Sequence, residues 1–135
     1  MLQRLVIKNF ALIKAAELQL AEGLTVFTGE TGAGKSMLID ALSLAVGARG
    51  GAGFIQEGAK SATIEATFEL PPQHPSLILA EDLGLDTEEN QLIMRRQVNA
   101  DGKTRCFANG LNITQGQMAE LGDLLVDIHG QRDQQ

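Results

Sequence analysis

The chain has no tryptophan and no tyrosine, and its aromatic content is five phenylalanines. Base stacking on aromatic platforms, a common way to hold single nucleic-acid strands, is therefore disfavoured. A single cysteine, Cys106, excludes an intramolecular disulfide and a cysteine-rich zinc site. In its strand-like surroundings it reads as small apolar filler. Basic residues are in deficit, 11 Lys and Arg against 17 Asp and Glu, for a net charge of −6. The overall balance lacks the basic surplus usual in nucleic-acid-binding domains, which leaves only a local patch for that role. No apolar run approaches the length of a membrane span. The start, Met1-Leu2-Gln3-Arg4, lacks the charged-then-apolar layout of a signal peptide. The expected location is the cytoplasm, with no membrane partner. His74 and His129 have no partner at metal-ligand spacing and read as polar residues in a loop and at a strand end.

What is present is a globular composition, 44% hydrophobic over 135 residues, which fits one domain with a real core. Leu5, Ile7 and Phe10 alternate with Arg4 and Lys8, and Ala16, Leu18 and Leu20 alternate with Glu17 and Gln19. Each pattern predicts a strand with one buried face. After the turn signal Glu22-Gly23, residues 24–28 form a short β-rich run with little polarity, as in a strand buried on both faces. A glycine-rich loop follows, then a helical pattern from Lys35 to Val46 in which Leu38, Ile39, Leu42 and Ala45 recur and Gly47 is the stop. Residues 47–58 hold five glycines and read as a loop. Ala62, Ile64, Ala66, Phe68 and Leu70 mark another half-buried strand, stopped by prolines. Ser76 is placed to cap a short helix ending at Leu83. Residues 91–98 and 103–108 flank Asn99-Ala100-Asp101-Gly102, a hairpin signal. Asn109-Gly110 is a second turn, Thr114 caps a helix to about Leu121, and residues 124–128 read as a further buried strand.

The chemistry sits in Gly29-Glu30-Thr31-Gly32-Ala33-Gly34-Lys35-Ser36, a complete G-x-x-x-x-G-K-[ST] phosphate loop between a buried strand and an amphipathic helix. Each residue type has a physical reason. Glycine lets the backbone wrap closely around a phosphate. The following helix presents unpaired N–H groups and a positive dipole end to the anion. Lys35 can reach the β and γ phosphates, and the Ser36 hydroxyl can ligate the Mg²⁺ that bridges them. The Glu30 carboxylate would repel phosphate and is expected to face solvent. The ligand is ATP or a closely similar triphosphate. The loop alone leaves kinases, GTPases, helicases and ABC-type ATPases open.

Two stretches carry a resemblance. LVIKNFALIKAAELQLAEGLTVFTGETGAGKSMLIDALSLAVGAR resembles the N-terminus of the bacterial RecN family, DNA-repair relatives of the SMC proteins. DGKTRCFANGLNITQGQMAELGDLLVDIHGQRDQQ resembles the same family just before its coiled coil. Together they span essentially the whole chain. The combination of KNFALI, GETGAGKS and DIHGQ is far more specific than the phosphate loop alone.

The resemblance implies an α/β P-loop NTPase fold: the N-terminal lobe of an ABC-type ATPase head, residues 1–135, without its coiled coil and C-terminal lobe. The expected architecture is mixed. A parallel-type core would hold residues 24–28 and 124–128, beside an antiparallel layer of residues 5–10, 16–20, 61–70 and the 91–108 hairpin. Gln131 would be the Q-loop glutamine, contacting Mg²⁺ or its water. The implied partners are the C-terminal lobe of the same head, a second head in a homodimer, and DNA, in the bacterial nucleoid. The implied role is ATP-gated head engagement in double-strand break repair and recombination. Gln56 stands where family members carry an arginine, so no role of that arginine transfers. Arg49 matches a family arginine and reads as a charge complementing the helix end.

Arg95, Arg96, Lys103 and Arg105 gather on the predicted hairpin. They read either as a solvated face or as a sequence-independent, salt-sensitive DNA contact. No hydrophobic run ending in Asp-Glu and no L-S-G-G signature occurs, so no complete catalytic set lies in this chain. It is expected to bind ATP and hardly hydrolyse it. Two alternatives remain open. One is a self-contained small P-loop kinase or GTPase, which would lack an N-K-x-D motif and offers only Arg49 for a lid. The other is a non-hydrolysing, ATP-responsive DNA-binding or dimerisation module.

Overall fold

The structure, a computed structural model, describes residues 2–19 and 32–129, with the backbone only for 32–35 and 126–129. The elements are β1 (Leu2–Phe10), β2 (Ile13–Gln19), α1 (Gly32–Ala45), β3 (Ser61–Glu69), α2 (Pro75–Asp82), β4 (Gln91–Asn99), β5 (Thr104–Ala108), β6 (Leu111–Ile113) and α3 (Gln115–His129). A short 3₁₀ turn spans Ala52–Phe54.

The strands form one sheet in the order β2-β1-β3-β4-β5-β6, antiparallel at every pairing. Alternation in the sequence becomes alternation in burial. Ala62, Ile64, Ala66 and Phe68 of β3 face inward, opposite Val98, Arg96, Met94 and Leu92 of β4. Leu5 and Ile7 of β1 continue this buried face, and helices α1 and α3 pack over the sheet.

Turn chemistry sets the register. Asn109 and Gly110 have φ of 49° and 85° and join β5 to β6 through a two-residue loop. Positive φ at both positions is the mirror-image turn that matches strand twist. The Asn109 side chain also accepts from the Ile93 N–H at 2.7 Å and donates to the Gln91 carbonyl at 3.1 Å. Thr114 and Gln117 cap α3 reciprocally, each side chain accepting the other's backbone N–H at 3.0 Å.

The antiparallel layer matches the sequence reading, and three of its other expectations need correction. Residues 124–128 are not a strand: they continue α3 to His129. Met118, Leu121 and Leu125 all face the core from one side of that helix, and a short apolar run cannot by itself separate buried strand from buried helix. Gly122, within the helix, is a point of close approach, where an added Cβ would run into the Val46 carbonyl. The parallel pairing expected for 124–128 therefore does not form, and residues 24–28 lie outside the described residues. The cap of α2 is His74 rather than Ser76: its Nδ1 accepts the Ser76 N–H at 3.1 Å, and Pro75 opens the helix. Ile39, assigned to the buried stripe of α1, is 68% exposed; Ala41, Leu44 and Ala45 are the fully buried ones.

Candidate nucleotide-binding site

Helix α1 begins at Gly32, inside the phosphate-loop motif. Gly32, Ala33, Gly34 and Lys35 thus form its first turn, and the N–H groups of a first turn have no acceptor within their own helix. Ser36 follows, exposed. A positively polarised helix start next to an exposed hydroxyl fits a magnesium-bound polyphosphate. Gly29, Glu30, Thr31 and Gln131 lie outside the described residues, as does the Lys35 side chain.

The opposite end of α1 is built in detail. Gly47, at φ 107°, ends the helix; its N–H donates to Leu44 at 3.1 Å, and the Ala48 N–H reaches Ser43 at 3.0 Å. This paired closure uses up two of the four orphan carbonyls. Arg96 approaches from the sheet. It is 0% exposed. Its Nη1 donates to the carbonyls of Leu44 at 2.7 Å and Ala48 at 2.8 Å, and its Nε donates to Thr104 Oγ1 at 2.7 Å. Gln115 of α3 adds donations to Gly47 and Ala48 at 3.3 and 3.2 Å. The Arg49 side chain is exposed just past the helix. The helix-end charge expected of Arg49 is supplied by Arg96.

The four cationic hairpin residues are therefore not one surface. Arg95 points to the open face of the sheet, its guanidinium 4.8 Å from the centre of the Phe107 ring. Lys103 and Arg105 are exposed. Arg96 is in the core and cannot touch DNA, a correction to the sequence reading. The signal was present: Leu92, Met94, Arg96 and Val98 share one parity of the strand, so this arginine occupies an apolar register. Burial pulls its pKa below the ordinary arginine range, with a weaker opposing contribution from Cys106. Cys106 lies directly across from it in β5. Gln56 is tied to β1 by its backbone, its N–H donating to Asn9 at 2.8 Å. Among the described residues no helix is long and apolar enough to cross a membrane.

Comparison with known proteins places this geometry. Residues 4–131 match the AAA domain. The chain is 47% identical over its full length to the DNA repair protein RecN of Halalkalibacterium halodurans, and 46% identical to that of Bacillus subtilis. It spans about a quarter of the length of these curated relatives, 24% and 23%, at their N-terminal end. Among solved structures, the Smc head domain from Pyrococcus furiosus superposes with a TM-score of 0.68 at 23% identity, covering 91% of this chain and 32% of that one. The SMC head domain from Thermotoga maritima gives 0.62 at 20% identity, covering 88% and 41%. The recombination mediator RecF gives 0.65 at 16% identity, covering 87% and 29%. The fold is that of an SMC-type ATPase head lobe, and with an AAA match along almost the whole chain and RecN proteins aligned from end to end, the chain belongs to the AAA-domain family, in its RecN group.

Proposed function

We propose that this chain is the ATP-binding lobe of an ABC-type head that acts in DNA repair. The observation that carries the reading is the start of α1 inside a complete phosphate-loop motif. In this reading Gly29, Glu30, Thr31, Gly32, Ala33 and Gly34 wrap the phosphates with backbone N–H groups. Lys35 neutralises charge on the β and γ phosphates. Ser36 and Gln131 hold Mg²⁺, which supplies charge neutralisation when bound. The curated relatives are named as DNA repair proteins, and a solved neighbour comes from work on ATP-driven dimerization of SMC ATPases. These support ATP-gated engagement of two heads, each completed by a C-terminal lobe that supplies the Walker B carboxylates. DNA contact through the outward-facing hairpin charges, half-buried Arg95 and exposed Lys103 and Arg105, belongs to the same proposal.

The test is titration of the 135-residue chain with a fluorescent ATP analogue. Lys35→Ala should remove most affinity and leave circular dichroism unchanged. Equal affinity in parent and variant would show that the cradle is not the site. Steady-state phosphate release by the chain should stay near background with or without DNA, because the sequence carries no hydrophobic run ending in Asp-Glu to supply the attacking water's base. Robust turnover abolished by Lys35→Ala would instead support a self-contained P-loop enzyme.

A further inference from the structure

Helix α1 holds 14 residues, which makes it a rod about 20 Å long. Among its described side chains, residues 36–45, the fully buried ones are Ala41, Leu44 and Ala45, with Leu38 and Leu42 partly buried and Ile39 68% exposed. A rod gripped near one end behaves as a lever. Tilting α1 by about 5° there would carry its far end by about 2 Å, and misplacements on the order of 1 Å are enough to degrade a preorganised site. The grip has two jaws. From α3, Ala119 packs against Gly47 and Gly122 against Val46, so closely that a Cβ on either glycine would overlap its neighbour. From the sheet comes Arg96. Its Nη1 donates to the carbonyls of both Leu44, inside the helix, and Ala48, beyond it, while its Nε donates to Thr104 of β5. Thr104 is itself oriented by donating to the Gln97 carbonyl at 3.2 Å. A planar fork fixed at both sides has little freedom to let the helix pivot.

We propose that Arg96 is a positioning residue of the nucleotide site: by fastening the C-terminal end of α1 to the β4–β5 hairpin, it sets where the phosphate-binding end of the same helix stands. The proposal rests on the nucleotide reading above. It separates Arg96 from an ordinary stabilising residue, because lost stability elsewhere in the core would not move the helix start.

The experiment compares Arg96→Met, Arg96→Lys and Met94→Ala in the full 135-residue chain. Met94 lies two residues away on the same buried face, is 0% exposed, and has no bond to α1. Thermal melts first confirm that each variant is folded at the titration temperature. ATP affinity should then fall about tenfold or more in Arg96→Met. It should recover in part in Arg96→Lys, which keeps the charge but not the fork, and stay within about twofold of the parent in Met94→Ala. Parental affinity in a folded Arg96→Met overturns the proposal. So does an equal loss in Met94→Ala, which would make the effect one of global stability. If Arg96→Met does not fold, Arg96→Lys and Thr104→Val carry the same comparison. If the parent itself binds no ATP, the nucleotide reading fails, and hydrogen exchange still reads the anchor. Amides of α1 should then exchange faster in the Arg96 variants than in Met94→Ala, and equal rates overturn it.

Discussion

Arg95 and Arg96 are consecutive residues of β4, yet the pleat sends them to opposite faces. Arg95 turns outward, opposite Glu65 on β3 and Phe107 on β5, and lays its guanidinium over the aromatic ring. Arg96 turns inward, between Ile64 and Cys106, where water is absent and helix carbonyls replace it as acceptors. One charge stays partly in water and leans on a neighbour. The other is desolvated and must be satisfied by fixed partners. Residue type therefore says little about role in this strand; register decides whether an arginine is a surface cation or a helix cap.

The contrast is sharpest in stability. Arg96→Ala should cost about 3 kcal/mol or more, because it removes the bonds to Leu44, Ala48 and Thr104 and opens a void in the core. Arg95→Ala should cost under about 1 kcal/mol, the usual range for a solvent-facing cation on a ring. Urea unfolding of the two variants measures the difference, and equal losses would break the comparison. The α3 jaw can be probed in the same assay. Gly122→Ala should cost about 2–4 kcal/mol, since its Cβ would push α3 away from Val46. Gly116→Ala, in the same helix with its nearest neighbour 3.8 Å away, should be neutral or stabilising by up to about 1 kcal/mol. On the outward side, replacing Arg95, Lys103 and Arg105 together by alanine should weaken duplex DNA binding. It should also flatten the salt dependence by roughly 0.9 in log–log slope for each phosphate that is no longer neutralised. An unchanged salt slope would make that face an ordinary solvated surface.

Much of this fold was legible because period-two alternation is a direct record of a sheet with one buried face. β1, β3 and the β4–β5 hairpin show it plainly, and the two turn signals sit where the turns are. The errors have physical causes. Residues 124–128 carry an apolar run that suits strand or helix alike, and α3 runs on through them to His129. The site was legible as a motif, since a phosphate cradle constrains eight consecutive residues. Its support was not. Arg96 acts through partners 52 and 48 positions away in sequence, and only the parity of β4 hints that it points inward. Charge clustering in sequence suggested one basic patch because it ignores that parity.

The smallest expected effect concerns Cys106, which faces Arg96 across the strand pair and is 2% exposed. Burial raises its thiol pKa above the ordinary 9.0, while the Arg96 charge works against that rise. The sign of the linked stability follows. The unfolded chain releases this proton at lower pH than the folded one, so at alkaline pH the unfolded state gains by ionising first. The stabilisation is complete below pH 9.0 and is lost as pH climbs from there through the folded value. Thermal midpoints measured across this window should therefore fall more steeply in the parent than in Cys106→Ala, whose core has no thiol to ionise. Arg96→Lys refines the point. An ammonium placed away from the thiol opposes its rise less, so the decline attributable to Cys106 should extend to higher pH. Parallel pH profiles in parent and Cys106→Ala would mean that the thiol carries no linkage, and that the inward arginine has no measurable electrostatic partner across the strand.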